Sequence, residues 1–169
     1  MIRIGLILCV AGMLAACSPD YNWRQVAVGG GAVQAIFPDK PQTHERSLNF
    51  SGHDISFGLT SANVDGASFT VAYAPLPEGL RGDAGAGKEL VGAVMRSLYH
   101  SLGAGEPAQL PELGKPFVID AQPPQKPLRL RATVWLTDQA LVEGLVMAEQ
   151  GKFPAEQADE FFRGIDLAK

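Results

Sequence analysis

Apolar and polar residues alternate with period two over several short stretches of this chain, the pattern of strands that bury one face. Val26 to Val28 and Ala32 to Phe37 flank Gly29, Gly30 and Gly31, which predicts a tight hairpin. Ile55, Phe57 and Leu59 alternate with Ser56, Gly58 and Thr60, and Phe69, Val71 and Tyr73 alternate with Ser68, Thr70 and Ala72. Further on, Leu128, Leu130, Ala132, Val134 and Leu136 face one way while Arg129, Arg131, Thr133 and Trp135 face the other. A turn at Thr137, Asp138 and Gln139 then leads into the apolar strand Ala140 to Met147. Short connections between successive strands predict antiparallel pairing.

Two stretches switch to helical spacing. Leu90, Val91, Val94, Met95, Leu98 and Leu102 recur every three or four residues, and Gly103 stands where a C-terminal cap belongs. A second helix is expected to open at Pro154, with Glu156, Asp159 and Glu160 early and Phe161 and Phe162 turned inward. The Pro- and Gly-rich stretches 75–87, 103–116 and 122–127 read as loops between elements. Strands, a helix, strands and a helix give an α+β fold, an antiparallel β-sheet with two helices packed against it.

The N-terminus adds a compartment to this picture. Arg3 is followed by an apolar run from Ile4 to Ala16, shorter than the about 20 residues a membrane span needs, so it reads as a signal-peptide core. Leu14, Ala15, Ala16 and Cys17 resemble a bacterial lipobox, in which the cysteine is lipidated and becomes the first residue of the mature chain. The alternative is an ordinary secretory signal cleaved after a small-residue site, with Cys17 incidental. On the lipobox reading, 1–16 is the lipoprotein signal peptide, 17–23 a lipidated tether and 24–169 one α+β domain of the size that a single core supports. Cys9 leaves with the signal and Cys17 becomes a thioether, so neither of the two cysteines remains for a disulfide, a nucleophile or a metal.

The lipobox resemblance implies several acyl chains, each contributing about 0.8 kcal/mol per buried methylene, and hence permanent membrane attachment. Ser18 stands where an aspartate would mean retention at the inner membrane, which implies the outer membrane, with the domain facing the periplasm. Tyr21 and Trp23 are placed either at the lipid interface or at the start of the first strand. The chain carries 14 Lys and Arg against 18 Asp and Glu, a formal net charge of −4, and loss of Arg3 with the signal makes it one unit more negative. An acidic body without a basic stretch argues against nucleic acid, and against electrostatic attachment to anionic lipid.

One further resemblance covers most of the mature chain. AIFPDKP, a strand ending in YAPLP, a long helix, the hairpin RLRATVWLTDQALVEGLVM and the closing FPAEQADEFFRGIDL are similar in order and spacing to small bacterial envelope proteins of PsbP-like architecture. Phe37, Pro38, Lys40 and Pro41 fit the family's opening "F-P-x-K-P" bracket, and Phe161 and Phe162 its closing aromatic helix, while Gly164 and Ile165 stand where Ser-Phe is usual. The resemblance implies a PsbP-like sandwich and accessory or scaffold roles, and it carries no catalytic residues.

Motifs that could bear chemistry are few. Gly82, Gly87 and Lys88 have phosphate-loop spacing, but Glu89 replaces the magnesium-binding hydroxyl, and Pro75 and Pro77 end the preceding strand early; no nucleotide is expected. Asp83 is instead placed near a helix start, where its charge suits the dipole. Arg81, Gly82 and Asp83 spell an adhesion tripeptide by chance. Ser51, His53 and Asp54 have triad residue types, yet strand neighbours point to opposite faces and cannot assemble a relay. His44, His53 and His100 lack partners at ligand spacing, so no metal or cofactor is expected.

Arg129, Arg131 and Trp135 share one strand face and form the candidate binding surface, able to take an anionic group, a glycan or a protein. The reading that emerges is a non-enzymatic, outer-membrane-anchored accessory or assembly factor, bound to the membrane through Cys17 and to another envelope protein through its domain. Its rival is a carrier or sensor of a small ligand or lipid, with a pocket between the Leu90–Leu102 helix and the sheet.

Overall fold

A computed structural model describes residues 21–50, 52–122, 124 and 126–168. Cys17, Ser18, the whole signal segment and Ser51 lie outside the described residues. Among the described residues the fold is α+β, with two α-helices and two antiparallel sheets. The smaller sheet has the order β1-β2-β9 and joins β1 (Arg24–Val28), β2 (Val33–Phe37) and β9 (Asp166–Leu167). The larger has six strands in the order β3-β4-β5-β8-β7-β6: β3 (Gln42–Phe50), β4 (His53–Val64), β5 (Ala67–Pro75), β6 (Phe117–Ala121), β7 (Leu128–Leu136) and β8 (Ala140–Glu149).

The predicted hairpin across Gly29–Gly31 is present, with Val28 opposite Val33. Gly29 needs its missing side chain, because φ is +61° and an added Cβ would lie 2.5 Å from the Tyr73 ring. Helix α1 (Ala84–Ser101) carries the predicted apolar stripe, and Gly103 follows its end at φ +66°. Its start corrects the loop reading of 75–87, since residues 84–87 form its first turn. Glycine and alanine hold there because the Asp83 carboxylate accepts from the backbone N–H groups of Gly85 and Ala86 at 2.9 and 3.0 Å. Helix α2 (Ala155–Arg163) begins one residue after the expected Pro154, which serves as its N-cap.

One layer of core lies on each face of the six-stranded sheet. On one face Leu90, Val91, Val94 and Met95 of α1 bury Ile55, Ala74, Val134 and Leu141. On the other, α2 and the small sheet bury Phe69, Val71, Val142 and Val146, with the Phe161 ring 5.6 Å from both Phe37 and Phe69. Tyr21 and Trp23, at the end of the expected tether, stack at 6.1 Å and pack edge-on against Phe69. They belong to the folded body.

Candidate functional site

The α1 face of the large sheet holds an open cleft. Registers align Leu59 with Ala72, Ser61 with Thr70, Thr70 with Leu145 and Ala72 with Glu143, so these side chains share one surface. Where α1 crosses, that surface carries Ile55 and Leu141 and is sealed. Towards β3 the side chains shrink to Ser61, Ser68 and Thr70, and a half-open cleft of about 490 Å³ remains beneath Val94, Leu98 and Ser101 of α1. That volume falls within the roughly 300–1,000 Å³ common for small-molecule sites. Ser61 and Thr70 hydroxyls pair with each other at 2.8 Å on its floor. Leu48 and Met147, each more than a third exposed, stand at its margin.

Glu143 lines this cleft from the central strand β8. It is 5% exposed, and among the described residues it has no hydrogen-bond or ion-pair partner. Burial disfavours the charged form and pushes its carboxyl up from 4.5 to about 7. Sequence reasoning missed this residue, having read Ala140–Met147 simply as an apolar strand. The signal was present: one acid inside ALVEGLV, a run whose continuity marks a strand covered on both faces.

The candidate surface at Arg129, Arg131 and Trp135 is one face, as the alternation required, but the face opposite α1. Arg129 donates from both Nε and Nη2 to the two oxygens of Asp120 at 2.8 Å. This bidentate contact is also what lowers the Asp120 carboxyl from its ordinary value. Arg131 donates to Asp159 of α2 and lies 5.0 Å over the Phe162 ring. Trp135 packs against the core cluster that contains Phe161. Both guanidiniums are thus engaged within the molecule; Arg129 joins β7 to β6, and Arg131 helps fix α2 on the sheet. The surviving feature is a shallow hollow beside Arg131, Trp135 and Phe162.

The other sequence candidates stay apart. Gly87 and Lys88 lie within α1, so no loop surrounds a phosphate there. An added Cβ at Gly87 would meet Leu136 at 3.1 Å, a packing reason for the glycine. His53 begins β4, and the adjacent Asp54 accepts from Asn49 at 2.8 Å. His44 is exposed on β3, and His100 Nε2 lies 2.6 Å from Glu106. Among the described residues no group of three or more His, Cys, Asp and Glu is arranged to hold a metal, and no helix is long and apolar enough to cross a membrane. No protein-family model, curated protein or solved structure matches the chain.

Proposed function

We propose that this chain is a non-enzymatic, lipid-anchored binding protein of the bacterial envelope, whose cleft between α1 and the large sheet takes a small, partly apolar ligand. The cleft carries the reading: its apolar walls, floor hydroxyls and one unpartnered carboxyl suit a molecule with an apolar body and a polar end. The lipobox at Leu14–Cys17 supplies the anchor, and sorting by Ser18 sets the outer membrane. Since Tyr21 is packed on Phe69, only Ser18 to Asp20 would separate a lipidated Cys17 from the fold, four residue steps of at most about 14 Å. The folded domain would then lie close to the lipid surface. We read the architecture as PsbP-like, supported by the contact between Phe37 and Phe161, which brings the opening and closing brackets of that resemblance together.

Native mass spectrometry of the protein extracted from its membranes tests the ligand. The expected result is a bound small molecule that is lost from Leu98→Trp, which fills the cleft; a wild-type mass equal to that of the acylated chain alone overturns the reading. Fractionation of Cys17→Ser tests the anchor, and a variant that stays with the outer membrane refutes it.

A second reading, an accessory factor that docks an envelope protein, is favoured by β3. This nine-residue edge strand is exposed over all but its last residue, and a partner strand could extend the sheet there. Crosslinks from β3 to one recurring protein would support it, and crosslinks scattered over many proteins would count against it.

A further inference from the structure

We infer that the ligand of the cleft is an amphiphile with an ammonium head, and that Glu143 is the residue that recognises it. The inference rests on the ligand-binding reading above and specifies its chemistry. Glu143 is 5% exposed as a residue and unpartnered among the described residues, and its carboxyl oxygens keep what contact with open space they have on the side of the cleft, where a ligand can satisfy them. Its nearest neighbours across the sheet, Ala72 of β5 and Val134 of β7, offer it no donor side chain.

The surrounding charges narrow the head group. The cleft is lined from β3, β4, β5, β7, β8 and α1, and of those side chains only Arg46 and Glu143 carry charge. Arg46 is exposed on the edge strand β3. A ligand ending in a carboxylate or phosphate would meet like charge at Glu143, whereas an ammonium forms a charge-assisted hydrogen bond there. The tail has its own place against Leu59, Val94, Leu98 and Leu145. Because the free carboxyl is raised to about 7, it is partly protonated near neutrality, and a bound ammonium holds it ionised and displaces that proton. Ammonium binding should therefore weaken as the pH falls below 7, while binding of the matching alcohol should not.

The test is calorimetric titration of the full chain in phosphatidylcholine nanodiscs, with empty discs subtracted, using hexylammonium and 1-hexanol as probes. In the wild type at pH 8, hexylammonium should bind at least ten-fold tighter than 1-hexanol. In Glu143→Gln the two should fall within about two-fold of each other, and the retained 1-hexanol affinity shows that the variant's cleft is intact. Moving the wild type from pH 8 to pH 5.5 should cost hexylammonium roughly thirty-fold, from a carboxyl titrating at about 7.

Equal affinities in the wild type, or a preference for the amine that survives Glu143→Gln, overturn this inference and leave the cleft reading standing. If neither probe binds, the cleft reading falls and the inference with it. Discs that include phosphatidylethanolamine separate the sources of the ligand. Competition by those discs identifies a membrane lipid as the ammonium donor, and undiminished hexylammonium binding identifies a soluble amine.

Discussion

Replacing Glu143 by glutamine should make the domain more stable at high pH, although it removes a charged residue from a folded protein. The carboxyl rises from 4.5 to about 7 through burial alone, so the folded state holds a proton that the unfolded chain releases between those values. A raised pKa contributes stability that is complete below pH 4.5 and lost as the pH climbs through 7. At about 1.4 kcal/mol per pKa unit, the rise corresponds to roughly 3 kcal/mol, a large part of the about 5–15 kcal/mol that holds a domain folded. Wild type should therefore lose roughly 2.5 kcal/mol of this between pH 5 and pH 8.5 relative to Glu143→Gln over the same interval. Asp120, lowered by Arg129, gives the opposite trend but titrates below this window. Urea unfolding of the chain from residue 21 onward, followed by Trp23 and Trp135 fluorescence at four pH values, measures the difference directly. The reasoning is refuted if wild type and variant change in parallel across the window.

Three further substitutions probe the packing around the site. Phe161→Ala removes a fully buried ring in contact with Phe37, Phe69 and Phe162, and should cost about 3–5 kcal/mol in chemical unfolding. A loss below about 1 kcal/mol would mean that α2 does not depend on that anchor. Gly164→Ala should destabilise by about 1–3 kcal/mol, because its Cβ would stand 2.1 Å from Cγ1 of Ile36; most of that cost should vanish in an Ile36→Ala background, a coupling that a double-mutant cycle reads out. Arg131→Ala should cost about 1 kcal/mol through the lost Asp159 and Phe162 contacts and leave 1-hexanol binding unchanged, since Arg131 lies on the sheet face away from the cleft.

Much of the fold was legible because its signals are local. Alternation marked β4, β5 and β7, a continuous apolar run marked β8, the three glycines marked the first hairpin, and the stripe from Leu90 to Leu102 marked α1. The strands that escaped notice lack that signal. Edge strand β3, QTHERSLNF, is exposed on both faces and so has no buried side to create an alternation. Strand β6 is a short edge strand inside a proline-flanked stretch, and β9 has two residues. Long-range pairing was illegible for a different reason. The joining of β5 to β8, with Pro75 opposite Ala140, is decided by which surfaces α1 and β7 leave open, and no window of sequence contains that choice.

The cleft follows from the same geometry. Six strands at about 4.8 Å spacing make a sheet about 24 Å across, and one helix with its side chains covers only about 10–12 Å. A single α1 therefore leaves uncovered surface on both flanks. On the β6 side Tyr99 of α1 stacks on Phe117 at 6.4 Å, and Ile119 and Leu130 complete a third cluster. On the β3 side the chain supplies Ser61, Ser68 and Thr70 where bulky residues would have closed the gap, and it places Glu143 at the boundary. Filling that flank with leucine or phenylalanine would have stabilised the domain and buried the acid without access to any partner. Small polar residues beside a buried, unpaired carboxyl are costly for stability alone, and they become intelligible when the space belongs to a ligand.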